Sequence, residues 1–176
     1  MDVVSTAEVP VGERFAFWRE VNSKLWVPYE LRCETEAERD FRAQVHSSEF
    51  GSVRVALMTT MPYSVERTPR LIRQADPEVF QLNCMVRGTG SLTQSGRRAA
   101  AGVGDLVLFD TSRPCLADFA PDTSASRQLL LLSFPRSLLP LPARALQSLS
   151  AVRIPGDEAI GAPSSQFLLQ LAHRMN

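Results

Sequence analysis

The spacing of hydrophobic residues changes character along the chain. Phe15, Trp18, Val21 or Asn22, and Leu25 or Trp26 recur at three- and four-residue steps, with Arg14, Arg19 and Lys24 on the other side. That spacing predicts an amphipathic helix over residues 12–26, and Pro28 ends it. From Gly51 the period becomes two. Val53, Val55 and Leu57 alternate with Ser52, Arg54 and Ala56; Tyr63, Val65 and Arg67 continue the extended run; Phe80, Leu82, Cys84 and Val86 alternate again. These runs predict strands. Leu106 to Phe109 form a compact apolar strand, Cys115, Ala117 and Phe119 alternate, and four consecutive leucines at 129–132 imply a strand buried on both faces. After Pro135 the leucines sit among prolines and serines. A short helix over 143–149 and a short extended piece over 152–154 are expected. A last helix, capped by Asp157, carries Ile160, Phe167, Leu168, Leu171 and Met175 on its apolar side.

The segments between are polar. Residues 1–11 read as a loose lead-in. Glu34 to Arg42 reads as a charged loop or an exposed helical turn anchored by Phe41. Thr68 to Glu78 reads as a strand leading into a turn at Asp76–Pro77. Glycines punctuate the middle of the chain at Gly88, Gly90 and Gly96, and again in the run Gly102-Val103-Gly104-Asp105. One helix, about eight short strands and then helices predict a sandwich or barrel of antiparallel strands. No βαβ unit, dinucleotide fingerprint, phosphate loop or repeat interrupts that order.

Composition narrows the chemistry. Of the 176 residues 44% are hydrophobic, and 19 basic residues balance 19 acidic ones. Nothing there supplies the positive charge that nucleic-acid binding draws on. Cys33, Cys84 and Cys115 have no motif spacing, so they read as buried thiols. No segment reaches the length of a membrane span, so no membrane partner is expected. Asp2, Glu8, Pro10 and Glu13 are foreign to a signal peptide, and a cytoplasmic location is expected.

His46 and His173 are the only histidines and lie far apart. Thr89, Ser91, Thr93, Gln94, Cys115 and Asp118 could face a barrel interior but make a poor metal site, so no metal and no cofactor are expected. A Ser or Cys nucleophile would lack a nearby base. Asp105 and Asp110 are placed to satisfy turn N–H groups. The chain therefore reads as a container, not an enzyme. Arg73, Arg87 and Arg97 lie in or beside the predicted wall. An arginine pointing inward would favour an anionic or carbonyl-bearing ligand, whereas the alternative has each facing solvent. Candidate ligand-binding residues are Arg73, Leu82, Cys84, Val86, Arg87, Leu108, Phe119 and Leu131.

Several short motifs follow one another in a telling order: Arg87-Gly88-Thr89-Gly90, Gln94-Ser95-Gly96-Arg97, Gly104 to Asp110, and Arg113-Pro114. Phe15 to Val21 opens the domain, and Leu129 to Pro140 leads into the terminal helices. Over Val11 to Met175 the chain resembles the AraC-binding-like N-terminal domain of AraC/XylS-type bacterial transcription regulators. The resemblance implies a mainly β, cupin-like antiparallel barrel of jelly-roll type, with an N-terminal helix and C-terminal helices. It also implies a small-molecule effector, a homodimer, and promoter DNA bound only through a helix-turn-helix region outside this sequence. Metal-dependent cupins carry a histidine motif where Gly88 to Gly104 has none.

The expected organisation is a lead-in over 1–11, a helix and effector-binding barrel over 12–134, and a helical dimerisation segment over 135–176 that stops before a DNA-binding domain. Candidate dimerisation residues are Leu138, Leu139, Leu146, Leu149, Phe167, Leu168, Leu171 and Met175. Two other readings stay open: a small metal-independent isomerase or epimerase, and a dimerisation module that binds no ligand.

Overall fold

A computed structural model describes residues 2–119 and 126–176. In chain order its elements begin with β1 (Asp2–Ser5), α1 (Arg14–Leu25), β2 (Glu30–Arg32), α2 (Thr35–Arg39), β3 (Ala43–Phe50) and β4 (Val53–Thr60). Next come β5 (Ser64–Arg67), α3 (Pro69–Gln74), β6 (Val79–Arg87), β7 (Gly90–Gln94), β8 (Arg97–Ala101), β9 (Leu106–Asp110) and β10 (Cys115–Asp118). The last are β11 (Arg127–Pro135), α4 (Ala143–Leu149), β12 (Arg153–Ile154) and α5 (Gly161–Met175).

The strands form two antiparallel sheets. A seven-stranded sheet has the order β1-β3-β4-β11-β6-β9-β12, and a five-stranded sheet the order β2-β5-β10-β7-β8. The sheets do not close on each other. Among the described residues the outer strands β1 and β12 of one sheet and β2 and β8 of the other share no hydrogen-bonded ladder across the gap. This overturns the expected mainly β, closed jelly-roll barrel. The fold is a mixture of helices and strands in which two open sheets face each other. Closure needs a ladder joining the outermost strands, and here the two-residue β12 and the four-residue β1 end the larger sheet.

Between the sheets lies the main core. Ala43, Val45, Ala56, Met58, Met85, Val107, Phe109, Leu129 and Leu131 of the larger sheet meet Leu31, Leu92, Ala99, Cys115 and Ala117 of the smaller. The outer face of the larger sheet is also covered. Val55, Leu57, Cys84, Leu106 and Leu130 pack under Leu168, Ala172 and Met175 of α5, while Phe80 and Leu108 pack under Leu146 of α4. The leucine run of β11 is thus buried on both sides because helices cover the face a solvated sheet would leave open. On the smaller sheet the outer face is polar, with Arg32 paired to Glu66 and Arg70 to Glu30.

Helix α1 follows its aromatic spacing, with Phe15, Trp18, Val21 and Asn22 buried. Phe15 meets Phe41 edge-on at 4.9 Å, and Trp18 meets Tyr63 edge-on at 6.5 Å. Three local expectations are corrected. The lead-in holds a strand, because β1 pairs along β3. Thr68 to Gln74 is a helix: the Thr68 hydroxyl caps it at Leu71 N–H, and Pro69 occupies its first turn, where a missing N–H costs nothing. Helix α5 starts at Gly161 without a side-chain cap, so Asp157 does not cap it.

The glycine run before β9 clamps the C-terminal segment to the sheet. Asp105 accepts hydrogen bonds from Gly102 N–H at 2.9 Å, Gly156 N–H at 3.1 Å and Arg153 Nε at 2.7 Å. Burial opposes ionisation of Asp105, but these three donors outweigh it and hold the carboxyl below the usual aspartate range. A group depressed in this way stabilises the fold above its unfolded-state pKa, and the gain is lost as pH falls through the folded-state value. Asp105→Ala is expected to cost about 1–3 kcal/mol at neutral pH, because two backbone donors lose their acceptor. In urea titrations the gap from the parent protein should shrink as pH drops through the acid carboxylate range. A gap that stays constant with pH would show that the charge of Asp105 contributes nothing.

Candidate functional site

Strand β6 presents different chemistry on its two faces. Leu82, Cys84 and Val86 turn toward α5 and its neighbours. Gln81, Asn83 and Met85 alternate with them and turn toward the space between the sheets, where they line two neighbouring lobes. One lobe lies beside the end of α1 and is lined by Asn22, Trp26, Tyr29, Tyr63, Gln81 and Cys115 among others. The second lies toward β7 and β8, against Met85, Gly90, Leu92, Ala99 and Val107. Asn83, Ala117, Phe119 and Leu129 line both, so Phe119 stands in the partition. The lobes leave about 30 and 20 Å³ for the centres of water-sized molecules, enough for a water or two each.

The polar groups of this space are incompletely satisfied. Gln81 is 1% exposed. Its Oε1 accepts from the Tyr29 hydroxyl at 3.0 Å, but its Nε2 has no partner. Asn83 Oδ1 is likewise buried without a partner. Asn22 is bound to its own helix, its Nδ2 donating to Trp18 O at 3.0 Å. Buried polar groups without partners are uncommon and costly, so each such atom calls for a guest, solvent or otherwise.

Among the described residues no charged side chain lines the larger lobe. Burial raises the hydroxyl of Tyr29 and pushes Tyr63 to about 12 and the Cys115 thiol to about 12, so all three are neutral at ordinary pH. Arg67 is buried and engaged at each of its three guanidinium nitrogens. Its Nε, Nη1 and Nη2 donate to the carbonyls of Thr111, Pro28 and Ala75 at 3.1, 2.9 and 2.5 Å. Arg67 ties three segments of chain together and lines neither lobe.

Residues 18–176 match the family described as the AraC-binding-like domain. The chain belongs to that family. A 24% identical relative, an uncharacterized protein in the nit 5′ region of Bacillus sp. (strain OxB-1), aligns over 89% of this chain and 58% of its own length. The transcriptional activator NphR of a Rhodococcus species is 26% identical over 95% of this chain and 49% of its own length. Among solved structures, the AraC-like transcriptional activator CuxR superposes with a TM-score of 0.82 at 16% identity, covering 99% of this chain and 60% of that one. The chain thus spans about half to three-fifths of the length of these proteins. The resemblance is to a domain of AraC-type transcriptional activators.

Within this AraC-binding-like domain the candidate ligand residues are scattered. Phe119 and Leu131 line the space between the sheets. Leu82, Cys84, Val86 and Leu108 lie on the opposite face of the larger sheet, under the C-terminal helices. Arg73 is exposed on α3, and Arg87 is exposed and donates to Ser126 Oγ at 2.5 Å. Gln81, Asn83, Tyr29 and Tyr63 went unnoticed because polar residues between apolar ones are ordinarily read as solvent-facing. The signal that could have found them is the C-terminal leucine surplus, which needs the apolar face of β6 for itself. The candidate dimerisation residues also divide. Leu146, Leu168 and Met175 are buried against the sheet, Leu139 and Leu171 pack partly against it, and Leu138, Leu149 and Phe167 are exposed. Among the described residues no group of three or more His, Cys, Asp and Glu side chains could hold a metal ion, and no helix is long and apolar enough to cross a membrane.

Proposed function

We propose that this domain senses a small-molecule effector in the space between its sheets. Through residues 135–176 it then governs the pairing of a longer AraC-type regulator that acts on promoter DNA in the cytoplasm. The observation that carries this reading is the double role of β6. Its Gln81, Asn83 and Met85 line the interior space, and its Leu82, Cys84 and Val86 seat the C-terminal helices. A guest that moves this strand moves the platform of α5 as well. On this reading sensing falls to residues 12–134, and DNA binding to a region outside this sequence.

The exposed side of the terminal helices is the surface expected to pair two copies. Phe167 on α5 is 64% exposed, and Leu138, Leu141, Leu149 and Ile160 of the same C-terminal segment are also exposed. Sedimentation of the domain at micromolar concentration is expected to give twice the 19.5 kDa monomer. Phe167→Glu should split that dimer and leave a folded monomer whose unfolding temperature no longer depends on concentration, because Phe167 has little core contact to lose. A monomer at every accessible concentration would remove the pairing role from this surface. A dimer that binds nothing between its sheets would favour the ligand-free module instead.

A further inference from the structure

The inner space has a chemistry that selects among effectors, and this inference rests on its reading as the sensing site. Its walls are apolar and aromatic: Trp26, Tyr29, Tyr63, Phe109 and Phe119 stand against Leu129 and Leu131. Tyr63 and Phe119 already lie ring to ring, at 5.5 Å and 32°. Among the described residues neither lobe is lined by a cationic side chain, and Arg73 and Arg87 are exposed. An anionic guest would have to leave its charge unpaired in a dry site, which costs several kcal/mol or more. What the wall does offer is one buried donor and one buried acceptor, Gln81 Nε2 and Asn83 Oδ1, both without partners. They project from alternate residues on the same face of one strand, about 7 Å apart along it.

We propose that this site takes an uncharged effector with a planar, mostly apolar body and a carboxamide-like group. The carbonyl of that group accepts from Gln81 Nε2 and its N–H donates to Asn83 Oδ1. A carboxamide holds an acceptor and a donor side by side in one plane, which matches a donor and an acceptor carried by one strand. Burial keeps Tyr29, Tyr63 and Cys115 neutral, and Asp105, which borders the smaller lobe, is committed to Gly102 N–H, Gly156 N–H and Arg153 Nε, so among the described residues the lining offers a cationic guest no uncommitted carboxylate. The lobes as they stand admit only water-sized molecules, so seating the body requires Phe119 to turn out of the partition and merge them.

The test uses this chain and five probes: benzamide, phenylacetamide, benzoate, phenylacetate and toluene. Binding is followed by tryptophan fluorescence, because Trp26 lines the larger lobe, and by the shift in unfolding temperature. At least one amide is expected to bind, with its matched carboxylate weaker by about tenfold or more. Gln81→Leu should weaken the amide by about tenfold while leaving toluene unchanged, which shows that the cavity survives the substitution. Asn83→Leu repeats the comparison should Gln81→Leu unfold. The proposal is overturned if neither amide binds up to about 10 mM, if the carboxylates bind as tightly, or if neither substitution discriminates amide from toluene. Toluene binding with no binding of either amide up to about 10 mM would discard the amide assignment and leave the sensing site standing. A probe that binds without perturbing any residue of the inner space would discard the site itself.

Discussion

Trp18→Ala is expected to remove about 3–5 kcal/mol of stability, a large share of what a domain of this size possesses. Trp18 is 0% exposed, and its ring sits 6.4 Å from Phe41 and 6.5 Å from Tyr63. Tyr63 in turn packs on Phe119, so the aromatic cluster runs from α1 into the partition of the candidate site. Alanine would leave a void that a helix held also by Phe15 and Val21 cannot collapse into. The urea midpoint should fall with an unchanged slope, and the unfolding temperature should drop by about 2–4 °C per kcal/mol lost. Trp18→Phe should recover most of the loss. A cost under about 1 kcal/mol would mean that α1 is not part of the main core.

Gly156→Ala is expected to be nearly as damaging, for a reason of space alone. A Cβ on Gly156 would lie 2.1 Å from the backbone oxygen of Gly104 and 2.9 Å from Ser165 Oγ. Neither the glycine turn nor the start of α5 can yield cheaply. Gly104 has a φ of +84°, a conformation that suits glycine, and Gly156 N–H is one of the three donors to Asp105. Overpacking of this kind costs about 1–3 kcal/mol, or more against backbone. The loss should be local first. Amide exchange at Leu168, Ala172 and Met175 should accelerate before that of Leu130 on the sheet beneath, since α5 would lose its anchor. Gly12→Ala makes the control, because nothing lies within 4 Å of its added Cβ. Equal behaviour of the two variants would contradict the clamp.

Part of this architecture was legible in the sequence for clear physical reasons. The three- and four-residue steps of Phe15, Trp18 and Val21 fix which side of α1 is buried. Leu129 to Leu132 could only belong to a strand covered on both faces. Asp105 after two glycines does serve backbone donors. Other parts were hidden. Ala43, Val45 and Ser47 are too weakly apolar for their alternation to stand out, so β3 passed as a polar stretch, and with it the partner of β1. Thr68-Pro69 carried a helix start that the neighbouring prolines and polar residues obscured. Whether two sheets close depends on pairings between strands far apart in sequence, which alternation within a strand does not encode. The candidate site was hardest to see, because β6 gives its apolar side to the helices and its amides to the interior. Only the three-dimensional placement of α5 determines which side of β6 is inside.

A guest between the sheets should be felt by the C-terminal helices through β6. Methyl-labelled nuclear magnetic resonance of the domain, with and without a saturating ligand found by thermal-shift screening, tests it most directly. Shifts are expected at Met58, Met85, Leu129 and Leu131, which face the inner space, together with shifts at Leu168 and Met175 on the far side of the larger sheet. Shifts confined to the outer surface of α5, or inner shifts that leave Leu168 and Met175 unmoved, would contradict it.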